Sequence, residues 1–156
     1  MNSTDLRPMD RSAVVAQLLT VLEQRAAALQ AELSATLEAR NSDTKSSAGD
    51  KHEVGRAMVQ QELDQLEGRL VGIRSMQQEL ARVPMDRVHE HVAFGSLVTT
   101  DQGTYFIAIG LGTVEAKDGT CYAISLASPI GQALRGRRTG EVINVNGRAI
   151  RILGVS

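Results

Sequence analysis

The stretch NSDTKSSAG, Asn41–Gly49, is a polar interruption between two long runs whose leucines recur at helical spacing. Before it, an apolar seam runs through Val15, Leu19, Leu22, Ala26, Leu29 and Leu33 and continues to Thr36 and Arg40. After it, His52, Arg56, Val59, Leu63, Leu66, Leu70, Ile73, Gln77 and Leu80 keep the same alternation of three- and four-residue steps, the spacing of a heptad seam. Folding the chain back about residue 46 pairs Leu33 with Val59, Leu29 with Leu63, Ala26 with Leu66, Leu22 with Leu70 and Leu19 with Ile73, and each pair of numbers sums to 92. Two unrelated runs need not share a register. Their agreement predicts an antiparallel two-helix coiled coil over residues 11–83, with a tip at 41–49 held ~40 Å from the base at 1.5 Å per residue.

The rest of the chain has a different texture. All four aromatic residues, Phe94, Tyr105, Phe106 and Tyr122, fall in the second half of a 156-residue sequence, so the first half has only aliphatic side chains to bury, as a hairpin needs and a globular core does not. Short apolar runs with glycines predict strands near 93–100, 104–111, 121–125, 141–145 and 148–155. Asp101-Gln102-Gly103 makes a tight turn, and Asn146-Gly147 is a type I′ hairpin signal. Between the third and fourth strands, Ser128 suits an N-cap, Pro129 the first helical position and Gly136 the C′ position, predicting one short helix on an antiparallel sheet. The fold class is therefore α+β: residues 1–10 disordered, a coiled-coil hairpin over 11–83, a linker over 84–91 and a sheet domain over 92–156. Asp10 or Ser12 caps the first helix. Ser46 or Ser47 caps the second, Ser47 with Asp50 forming a capping-box variant.

Charge and composition narrow the function. The first 85 residues carry 10 Lys plus Arg against 12 Asp plus Glu, and the last 71 carry 7 against 6, without the basic excess of a nucleic-acid-binding domain. One cysteine, Cys121, excludes an intramolecular disulfide framework, and no apolar run approaches the ~20 residues of a membrane span. The start, MNSTDLRPMDR, lacks a signal-peptide core. A cytoplasmic monomer is expected, without membrane contact. No Ser-His-Asp, Walker or zinc pattern is present. His89 and His91 flank Glu90 without a second ligand pair and read as a polar linker.

The second half, with FGSLV, YFIAIG, DG, ISLASPIGQALRG and GEVINVNGRAIRILGV in order, resembles the C-terminal domain of the bacterial Gre transcript-cleavage factors, and a long coiled coil preceding it matches that family's order of parts. The resemblance implies an FKBP-like sheet domain docked on the rim of RNA polymerase's secondary channel, with Ser128, Pro129 and Ile130 as docking residues and the coiled-coil tip entering the channel. In that family, acidic tip residues help hold the polymerase's second magnesium for cleavage of backtracked RNA. Their pattern is like GDLxEN, after a segment resembling Glu38-Ala39-Arg40. In this chain Thr44 and Ser47 stand where the two carboxylates should be; Asp43 is one place early, and Asp50 and Glu53 lie beyond.

Three readings follow. Asp43 and Asp50 could form a displaced acidic pair that shares magnesium with the polymerase near the nascent RNA 3′ end, as one or two carboxylates suffice for that ion. Alternatively Asp50 stabilises the start of the second helix and Asp43 is a solvated turn residue, leaving a channel-binding regulator without strong cleavage stimulation. Residues 40–53 balance three cations against three anions, which favours the regulator, since a tip recruiting a cation is normally acidic. A third reading is a protein-interaction adaptor or isomerase relic, for which four aromatic residues supply little pocket floor. No cofactor of its own is expected. Arg135, Arg137 and Arg138 are candidate basic contacts to an acidic surface or RNA phosphate.

Overall fold

Asp10 starts the first helix. Its carboxylate accepts from Ser12 N at 3.0 Å and from Ser12 Oγ at 2.8 Å, satisfying donors that the first turn leaves open. The computed structural model describes residues 9–46 and 50–156, with side chains for 9–42 and 54–156. Its elements are α1 (Arg11–Ser46), α2 (Asp50–Ala81), β1 (Leu97–Thr100), β2 (Gly103–Ile107), β3 (Gly112–Ala116), β4 (Gly119–Ile124), α3 (Pro129–Leu134), β5 (Val142–Val145) and β6 (Arg148–Val155). The expectations of disorder before residue 9 and of a Ser47 cap lie outside the described residues. Two compact units divide the chain: one is Val21–Gln78, the other joins the chain up to Thr20 with Glu79–Ser156.

Within Val21–Gln78 the two long helices lie against each other along the expected seam. Leu22, Ala26, Leu63, Leu66 and Ile73 are buried, and Leu29, Leu33, Val59 and Leu70 half-buried. The register differs from the expected one. Gln77 Nε2 donates to Glu23 Oε2 at 3.1 Å, Arg74 reaches the same carboxylate at 3.8 Å, and Arg40 Nη1 donates to Gln60 Oε1 at 3.1 Å. These pair numbers sum to 100, 97 and 100 rather than 92. The cause is helix length: α1 runs through Asn41–Ser46 and α2 begins at Asp50, so the pairing pivots between about 48.5 and 50, half of those sums, instead of at 46. Polar residues 41–46, expected as turn, are helical, since serine, asparagine and aspartate disfavour a helix only weakly.

In the other unit, Val14 and Leu18 are wholly buried while Leu19, expected in the seam, is 41% exposed. Arg11 Nη1 donates to the carbonyls of Pro84, at 3.1 Å, and of Arg87, tying the start of α1 to the segment after α2. Six strands form one sheet in the order β3-β4-β2-β1-β6-β5. The sheet is mixed, not wholly antiparallel as expected, because β4 runs parallel to β2 with Tyr105 opposite Tyr122. The missed element is β3. The chain leaves β2, forms β3 and returns through the Lys117–Asp118 turn, and β4 inserts between β3 and β2, so that its direction matches β2. Elsewhere the turn chemistry acts as expected: Asn146 and Gly147 have φ of 53° and 77°, the left-handed pair of a type I′ turn.

Alternation along the strands buries both faces of the sheet. Val98, Tyr105, Ile107, Ile143, Ile150 and Ile152 form one cluster with Val92 and with Leu134 of α3. Leu97, Phe106 and Ala123, in register on neighbouring strands, are buried on the opposite side.

Candidate functional site

Helix α3 is built on a hydroxyl. Ser128 Oγ donates to Ser125 O at 2.7 Å and accepts from Gly131 N at 3.0 Å, with Ser128 itself extended at φ −69° and ψ 157°. Pro129 occupies the first turn, where its missing N–H is not needed. Gly131 is dictated by crowding, because a Cβ there would lie 2.1 Å from Ser125 O. The helix ends where Gly136, at φ +77°, donates its N–H to Val92 O at 2.8 Å. Of the three expected docking residues, Ser128 is thus occupied by the cap, Pro129 is exposed, and Ile130 is half-buried at the edge of the core.

Ile130 also borders a cleft of about 540 Å³, together with Tyr105, Tyr122, Ile124, Val145 and Ile150 and the polar residues Gln102, Thr113, Asn146 and Arg148. The two tyrosine rings are tilted by 34° with centroids 5.4 Å apart, a favourable aromatic geometry. Burial, then Tyr122, raises the Tyr105 hydroxyl above its ordinary pKa of 10.0, opposed by Arg148. That hydroxyl is therefore a neutral hydrogen-bonding group at physiological pH. Sequence reasoning counted too few aromatic residues for a pocket floor, yet both tyrosines converge here. The signal available was their place on one face of adjacent strands, which required knowing the parallel pairing of β2 and β4.

The arginines after α3 are not equivalent. Arg137 Nη1 pairs with Glu141 Oε1 at 3.3 Å, and Glu141 Oε2 accepts from Arg138 N at 2.6 Å. That backbone hydrogen bond, then the Arg137 side chain, holds the Glu141 carboxyl below its usual range. Arg138 Nε donates to His91 Nε2 at 2.7 Å, so the linker histidine is part of this turn. Arg135 is exposed.

At the far end of the sequence reading, Asp43, Thr44, Asp50 and Glu53 fall within α1 and α2, but their side chains, and Ser47 altogether, lie outside the described residues. Among the described residues, no three or more His, Cys, Asp or Glu side chains are grouped to hold a metal ion, and no helix is long and apolar enough to cross a membrane.

No family model and no curated protein matches the chain. It is similar to several solved structures. The crystal structure of GreA factor homolog 1 (Gfh1) of Thermus thermophilus is 20% identical, with a TM-score of 0.34 over 92% of this chain and 95% of that one. A structure of the transcription factor Gfh1 is 22% identical, with a TM-score of 0.33 over 92% and 93%.

Proposed function

We propose that this chain is an accessory factor of RNA polymerase that docks by an FKBP-like sheet domain at the secondary channel and regulates elongation through its hairpin tip, without strong cleavage stimulation. The observation that carries the reading is the α3 corner. The segment that most resembles the Gre factors, ISLASPIGQALRG, has its serine committed to the cap, its proline exposed and its isoleucine on the rim of an apolar cleft. An exposed rigid proline beside an aromatic-lined concavity suits an anchor for a protein partner, because preorganised apolar groups in a pocket dominate interface energies. The two long helices supply the hairpin that such a factor inserts, and the neutral charge of residues 40–53 favours regulation over metal delivery.

Retention of the protein by immobilised, purified RNA polymerase tests this. Ile130→Asp and Pro129→Ala should weaken retention, the former about tenfold, as for a central contact residue. The double change Asp43→Ala and Asp50→Ala should leave it unaltered. Failure of the unmodified protein to be retained would remove the polymerase reading. Cleavage of backtracked RNA that depends on Asp43 and Asp50 would replace regulation by magnesium-assisted cleavage.

A further inference from the structure

The leucine seam of the hairpin ends in arginines. On α1, Leu33 and Thr36 are followed by Arg40, and on α2 Val59 is preceded by Arg56. Both cations line one open concavity of about 480 Å³, together with Asn41, Ala57 and Gln60. Arg40 is held in place from across the hairpin: its Nη1 donates to Gln60 Oε1 at 3.1 Å, and Gln60 Nε2 in turn donates to Asp64 Oδ1 at 3.0 Å. The glutamine amide is therefore oriented with its oxygen toward the guanidinium. Arg40 is half-buried and Arg56 exposed, so an apolar side chain at position 40 would stabilise the hairpin. A charge at the half-buried position 40 is a local violation of the folding pattern, of the kind that marks functional positions.

We infer that the Arg40–Arg56 concavity is a binding site for a free polyphosphate, the triphosphate tail of a nucleotide being the ligand class. Each guanidinium offers a planar fork of donors that matches phosphate oxygens two at a time. Two forks in one concavity suit a ligand that concentrates several negative charges in a short length. A single-stranded nucleic acid is a poorer fit, since it is gripped mainly by base stacking on aromatic side chains, and no aromatic residue precedes Phe94. For the same reason the site reads phosphate and not base, so ATP and GTP bind alike.

The test is calorimetric titration of the whole protein at low salt with inorganic tripolyphosphate, ATP, GTP, sulfate and a short single-stranded oligoribonucleotide. Tripolyphosphate and both nucleotides should bind with affinities within about threefold of one another, and far more tightly than sulfate. Arg40→Gln and Arg56→Gln should each weaken binding about tenfold, and Arg135→Gln should not change it. The pair Arg40→Leu and Arg56→Leu should abolish binding without lowering the thermal midpoint of the hairpin, separating loss of the site from loss of the fold. Unchanged affinity in the Gln variants, sulfate binding as tightly as tripolyphosphate, or binding of the oligoribonucleotide alone would each overturn the assignment. The polymerase reading stands or falls separately, since none of these arms contains polymerase.

Discussion

A methyl group on residue 131 would collide with the Ser125 carbonyl oxygen, 2.1 Å away, and that oxygen also accepts the Ser128 hydroxyl. Gly131→Ala must therefore displace backbone, not a flexible side chain. Thermal or denaturant unfolding should show a loss of about 2 kcal/mol or more, at the upper part of the overpacking range. Ser128→Ala, which removes only the cap, should cost about 1 kcal/mol. Cys121 makes the opposite case, a residue whose chemistry is silenced by its place. It is fully buried, and burial pushes its thiol from 9.0 up to about 12. It should resist alkylation at pH 8 until the protein unfolds. The linkage has a definite sign. Between pH 9 and 12 the unfolded chain gives up a proton that the folded chain keeps, so stability falls as pH rises through that window and is unaffected by Cys121 below it. Tyr105 titrates upward for the same reason, so Cys121→Ala should flatten this slope without removing it. A steeper slope in that variant would contradict the assignment. At this scale the sequence was informative where a residue type has one local use: Ser128, Pro129 and Gly136 were readable as cap, first turn and C′ residue. Gly131 was not, because its reason is a carbonyl folded back by the cap.

For the elements, what was legible depended on whether the pattern was local. The heptad spacing named the buried positions of the hairpin correctly from Leu22 to Leu33 and from Val59 to Ile73. It misplaced the register, because register depends on where each helix stops, and Asn41–Ser46 carry no strong helix breaker. Below Leu22 it held only in part: Val15 is buried as expected, but α1 there belongs to the unit containing the sheet, and Val14 and Leu18 are buried while Leu19 is exposed. Leu18→Ala should therefore cost about 2–5 kcal/mol, as for a filled core position, while Leu19→Ala should stay within about 1 kcal/mol. Equal losses would restore the simple seam. Strand β3 escaped notice because Val114 is its one strongly apolar residue, with Thr113 and Glu115 exposed on either side. With β3 unseen, the parallel pairing of β2 with β4 had no route, and the tyrosine cleft that it creates was hidden too.

In the whole molecule, the division into units does not follow the boundary between helical and strand-rich sequence. The first described residues of α1 and the end of α2 belong with the sheet. Val14, Leu18, Leu80 and Val83 are all buried there, and Arg11 bonds to the chain at Pro84. The Asp10 backbone N–H donates to the Asp118 side chain at Oδ2, at 3.3 Å, joining the same helix start to the β3–β4 turn. A cut at the composition boundary near residue 84 would remove those apolar side chains, and a 65–75-residue sheet domain has little burial to spare at that size. Two trimmed proteins should then behave differently. Replacing Val21–Gln78 by a short glycine-serine linker should leave one cooperative unfolding transition and a Cys121 still shielded from alkylation. The fragment starting at Pro84 should melt at a clearly lower temperature, with Cys121 reactive, because Val14, Leu18 and Leu80 are gone. If the fragment is as stable as the linked protein, the base of the hairpin contributes nothing to the sheet. If the linked protein is stable and polymerase still retains it, docking resides in this unit and the remainder of the hairpin is free to serve the tip.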